Sequence, residues 1–120
     1  MKFYTTDRKW INDDALKEEF DAAEPIGSLR IGNRHLFFRA ALKHYAIPFN
    51  EILGCFRRIR AVDTKLCCGR GTMEMEYLVV RTATGEAAEI GLPGKRAAQK
   101  VMEMLKAKIP DADFTVPAKA

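Results

Sequence analysis

Residues 73–108 read MEMEYLVVRTATGEAAEIGLPGKRAAQKVMEMLKAK, and this stretch decides the fold. Tyr77, Val79 and Val80 make 73–82 dense in aromatic and β-branched side chains, the types that fit a pleated surface. Ala83-Thr84-Gly85 supplies a hairpin turn and 87–92 returns. Pro93-Gly94 breaks the pattern, and the apolar period changes from two to three and four. Ala98, Val101, Met102, Leu105 and Ile109 then form one stripe of a helix over 95–108. Lys95, Gln99, Lys100, Glu103 and Lys106 take the opposite face, and Pro110 ends the element.

Working upstream, the strand pattern reaches back to residue 26. The segment 28–31 is a first strand, and Gly32-Asn33-Arg34 a tight connection whose Gly and Asn supply positive φ. In 35–40, Leu36, Phe38 and Ala40 alternate with His35, Phe37 and Arg39. A third strand covers 43–49, with Tyr45 and Ile47 on one face and Pro48 at its end or on an edge. A turn over 49–52 leads into 53–60. The segment 63–68 either continues that strand after a bend or forms its own, and 69–72 reads as a loop.

The N-terminal 25 residues read differently. A helix is expected over 12–23, capped by Asn12, with Asp13 and Asp14 in a first turn where the helix dipole favours negative charge. Leu16, Phe20 and Ala23 share a face, Trp10 and Ile11 are placed to pack under the first turn, and Pro25 stops the helix. Docking on the domain is favoured over partner binding, because free exposure of Trp10, Leu16 and Phe20 leaves a sticky patch. The organisation is therefore a helical extension over 1–25, a domain over 26–114 and a tail over 115–120. Phe114 and Val116 are placed to tuck back. The expected core is Leu36, Phe38, Tyr45, Ile47, Ile52, Ile59, Leu78, Val80 and Ile90 with Val101, Met102, Leu105 and Ile109 of the helix.

Six to seven short antiparallel strands closed by one amphipathic C-terminal helix, mainly β within an α+β class, resemble a bacterial pleckstrin-homology-like domain. The resemblance covers roughly 26–114. It is carried by Ile31-Gly32-Asn33-Arg34-His35-Leu36-Phe37-Phe38, by Tyr45-Ala46-Ile47-Pro48-Phe49-Asn50-Glu51-Ile52, and by Leu78-Val79-Val80, Thr84-Gly85 and Ile90-Gly91-Leu92 before the helix. It implies a roll or barrel whose open end the helix plugs, and it is nearly silent on function. Two departures matter. Gly32-Asn33-Arg34 is too short to cradle a lipid head group, and the C-terminal helix lacks the tryptophan common in eukaryotic members, Trp10 being the sole tryptophan. None of the lipid-site residues carries over.

The chain has 120 residues and a formal net charge of +4, enough for one domain with its own core. The charge is polarised. Residues 54–71 hold five basic residues against Asp63, the final helix five against Glu103, and residues 1–25 four against seven acidic ones. The three cysteines, Cys55, Cys67 and Cys68, form no disulfide framework and no metal-ligand spacing, so no cofactor is expected. Neither an apolar leader at the N-terminus nor a membrane-length apolar run is present, and a cytoplasmic location is expected.

The best functional candidate is Arg57-Arg58-Ile59-Arg60 with Lys65 and Arg70. Alternation puts Arg57 with Cys55 and Ile59, and sends Arg58 and Arg60 to the other face beside Lys65 and Arg70. Guanidinium groups bind phosphate and carboxylate bidentately, so an anionic ligand fits. The competing reading is cross-strand pairing with Glu74 and Glu76. His35 and His44 have no nucleophile system around them, and nucleic acid is disfavoured for want of exposed aromatics. The expectation is a non-enzymatic interaction module for a protein partner or for self-association through a sheet edge. An anion binder is the alternative.

Overall fold

The computed structural model describes residues 2–7, 9–66 and 69–116; the side chains of residues 62–66, 70 and 72 lie outside the description, as do Cys67 and Cys68. The order is β1 (Phe3–Tyr4), β2 (Trp10–Ile11), α1 (Asp14–Ala22), β3 (Pro25–Ile26), β4 (Leu29–Ile31), β5 (His35–Ala40) and β6 (Lys43–Pro48). A short 3-10 turn (Phe49–Glu51) follows, then β7 (Gly54–Leu66), β8 (Gly69–Thr82), β9 (Gly85–Leu92) and α2 (Lys95–Lys108).

Two sheets form, of six strands (β2-β1-β6-β5-β4-β3) and of three (β7-β8-β9). The inner face of the large sheet offers Leu29, Ile31, Leu36, Phe38 and Ile47, and the small sheet answers with Cys55, Leu78, Val80, Ile90 and Leu92. Ala98, Val101 and Leu105, spaced three and four apart, bring the apolar stripe of α2 into the same core. The outer face of the large sheet is covered by α1: Leu16 and Phe20 pack on Phe3, Phe37 and Ala46. Aromatic edges meet there, with Phe20 and Phe37 centroids 5.4 Å apart in a T-shape.

The mainly β α+β class stands, and the details correct the expectation. No ladder joins the two sheets among the described residues, so the barrel is not closed; side-chain packing and α2 hold them together. Among the described residues the region from β3 to β9 holds seven strands, as expected, but the N-terminal extension adds two more, and β1 pairs with β6 in parallel, Phe3 opposite His44 and Tyr4 opposite Tyr45. Asp13, not Asn12, caps α1 by accepting from the Ala15 amide. Trp10 and Ile11 form a strand with β1 instead of lying under the helix, and both are exposed.

In place of the expected bend after residue 60 and loop at 69–72, residues 54–66 and 69–81 pair in unbroken register from Gly54–Arg81 to Leu66–Gly69; Cys67 and Cys68 lie outside the described residues. Two flanking strands complete a ladder of backbone bonds, and that outweighs the weak preference of Gly69 and Gly71 for a loop. Strand β9 reaches only to Glu76, so beyond Ile59 the hairpin continues, among the described residues, as a two-stranded arm. Seven residue pairs at ~3.3 Å each give it roughly 20 Å, which accounts for much of the 49 Å long axis. Ile59 therefore leaves the expected core: it lies where the arm clears the body and is 52% exposed.

Candidate functional site

Strand β7 is the outer strand of the small sheet and carries the three described arginines of the sequence-derived patch. Arg57 shares the inner face with buried Cys55 and sits at its rim. Its guanidinium clasps the buried Glu76 carboxylate, with Nη2 3.0 Å from both oxygens and Nε 3.3 Å from Oε2. Glu76 is 5% exposed, so the pair is a neutral plug where the core meets the arm.

Arg58 and Arg60 lie on the other face, over Phe56, and reach past β8 to β9. Arg58 donates to Glu89 at 2.6 Å and to Glu86 at 2.8 Å; Arg60 donates to both oxygens of Glu89, at 3.0 and 2.8 Å. Hydrogen bonds from Arg60 and then Arg58 hold the Glu89 carboxyl below its usual range. The Arg58 guanidinium lies 5.4 Å from the Phe56 ring, and Phe56 and Val79 beneath this lattice are buried. Lys65 and Arg70 face each other across the backbone of the arm; their side chains lie outside the description. The patch is thus brought onto one hairpin, four residues on β7 and Arg70 on β8, and its three members with described side chains each face a carboxylate of their own sheet. Glu76 was readable from the sequence. Glu86 and Glu89 were not, because their reach depends on the register of β9.

The edge of β7 is the feature that sequence reasoning placed least well. The chain's own C-terminal segment touches it at one point. Asp113 bridges Gly54 in a parallel sense, its carbonyl accepting from the Cys55 amide at 3.0 Å and its amide donating to Leu53 at 2.9 Å. Gly54 makes that approach possible: a Cβ there would lie 2.5 Å from the Asp113 carbonyl oxygen and 2.7 Å from Arg81 Nη2. Arg81 in turn binds the Asp113 carboxylate at 3.0 Å. The Cys55 amide points outward to Asp113, so the alternation of a β-strand points the amides of Arg57, Ile59 and Ala61 outward too. Among the described residues, no strand pairs with them.

Beside this edge a groove of about 440 Å³ opens between β7, α2 and the tail. Its walls are Arg57, Gln99, Met102, Glu103, Lys106, Phe114 and Val116. Phe114 packs against the core, and the Lys106 ammonium lies 5.7 Å from its ring. Met102, Phe114 and Val116 give the groove its apolar surface, while Lys106 and Glu103 place one charge of each sign beside it and Arg57 is already paired with Glu76. Cys55, on the inner face of the same strand as Arg57, is fully buried, and burial pushes its thiol up to about 12.

A family model described as "Domain of unknown function (DUF6709)" matches residues 1–112, and the chain belongs to that family. No curated protein and no solved structure matches it. Among the described residues no helix is long and apolar enough to cross a membrane, and no group of three or more His, Cys, Asp or Glu is placed to hold a metal ion.

Proposed function

We propose that this member of the DUF6709 family is a non-enzymatic binding module that takes an extended segment of a partner protein as an added strand on β7. The open outer edge of that 13-residue strand carries the reading. An unpaired strand edge offers a row of backbone donors and acceptors, and strand addition satisfies them without needing a fixed sequence. The adjoining groove supplies the selectivity. Met102 and Phe114 favour apolar side chains at alternate positions, and Lys106 with the basic face of α2 favours carboxylates between them. The chain's own Asp113-Phe114 sets the pattern, its acid on Arg81 and its aromatic ring in the groove wall.

The pleckstrin-homology-like fold is part of the same proposal. Two sheets with a C-terminal helix laid into their shared core support it. An anion bound by Arg57, Arg58 and Arg60 is the weaker reading, since it must compete with Glu76, Glu86 and Glu89.

Selection from a random-peptide display library against the wild-type chain and against Ile59→Pro tests the proposal. The substitution removes one outward amide while the inner ladder keeps its bonds. Acidic–apolar alternating peptides are expected to bind the wild type and to lose at least tenfold in affinity on the variant. Peptides that bind both equally, or an unenriched pool, would overturn it. Light scattering on both proteins identifies the case in which the occupant is a second copy: a dimer that Ile59→Pro dissolves.

A further inference from the structure

Far from β7, on the outer face of the large sheet, a second cavity of about 410 Å³ opens where α1 ends. Phe20, Pro25, Ser28, Arg30, Arg39 and His44 line it. The sheet register sets this up: Arg39 of β5 lies directly opposite His44 of β6, and the Arg39 amide donates to the Ser28 carbonyl at 3.0 Å. Arg30 is held rigidly. Its Nη1 donates to the carbonyls of Phe20 and Ala23 at 3.0 and 3.2 Å, and its guanidinium stacks 4.1 Å from the Phe20 ring. Those bonds cap the negative end of α1 through Nη1 alone, and among the described residues no hydrogen-bond partner meets Nε or Nη2.

No carboxylate lines this cavity, and among the described residues neither Arg30, Arg39 nor His44 forms an ion pair. The acids that flank its lining residues in sequence are engaged elsewhere: Glu24 with Lys100, Asp21 with Lys17 and Glu19 with His35. The contrast with β7 is direct, since each described arginine there already holds a glutamate. Burial first, then Arg39 and Arg30, keep the His44 imidazole below its ordinary range.

We propose that Arg30, Arg39 and His44 form a binding site for a small oxyanion of phosphate type. Two guanidinium groups and an imidazole converge from three elements, and the Ser28 hydroxyl stands beside them as a further donor. The cavity is larger than a phosphate ion, so the phosphoryl group has room for an organic substituent against Phe20 and Pro25.

The probe is inorganic phosphate, followed by NMR titration of the histidine ring protons at constant ionic strength. A bound anion stabilises the imidazolium, so phosphate is expected to raise the His44 midpoint saturably, with His35 as an internal reference. Arg39→Gln, an exposed change, is expected to raise that midpoint without phosphate and to weaken phosphate binding by ~tenfold. A His44 midpoint that ignores phosphate, moves in step with His35, or saturates unchanged in Arg39→Gln would overturn the site.

Discussion

At the residue scale, charge in this chain is decided by partners that lie far away in sequence. The basic run 57–60 is plain in the sequence; that it is already neutralised is not, because Glu86 and Glu89 meet it only once β9 takes its register. Glu76→Gln leaves Arg57 against a core wall without its carboxylate, and a destabilisation of about 2 kcal/mol is expected in urea melts, discounted from a fully buried pair because Arg57 is partly solvated. Cys55 reads as an ordinary cysteine in the sequence, but burial makes it inert. Iodoacetamide at pH 8 followed by peptide mapping is expected to leave Cys55 unmodified in the native protein and to alkylate it in denaturant. His44 gives the pH dependence its sign. Its folded value lies below 6.5, so on acidification the unfolded chain takes up the proton first and stability falls as pH drops through that window. Urea midpoints at pH 7 and pH 5 should therefore differ less in His44→Gln than in the wild type.

At the scale of elements, the apolar stripe of α2 was fully legible, since five residues at helical spacing admit one reading. The docking of α1 was legible from Leu16 and Phe20, but not the clasp that fixes it. Glu19 accepts from the amides of Arg34 and His35 at 2.9 and 2.8 Å and meets His35 Nδ1 at 2.9 Å, tying the helix to the β4–β5 turn. Glu19→Ala is expected to cost roughly 1–3 kcal/mol and to speed amide exchange in α1 before the rest of the chain. The β5–β6 turn carried no signal. Ala41 and Leu42 both adopt positive φ, 49° and 66°, in a connection that Asn-Gly would favour. Tertiary pairing of β5 with β6 imposes the turn on residues that resist it. Ala41→Asn with Leu42→Gly is expected to raise the urea midpoint, by about 1–2 kcal/mol in stability.

At the scale of the whole molecule, three layers divide the labour. Helix α1 covers one face of the large sheet, the small sheet and α2 cover the other, and the β7–β8 arm projects beyond both. The two candidate sites follow from this layering: one on the free edge of the outermost strand, the other where the shorter covering helix runs out. The measurement that tests the central claim most directly is amide exchange by NMR, with and without a display-selected peptide. The account expects the outward amides of Arg57, Ile59 and Ala61 to exchange rapidly in the dilute chain and to slow at least tenfold on binding, while the inner amides of β7 change little. Protection that leaves those three amides untouched and falls elsewhere would contradict it.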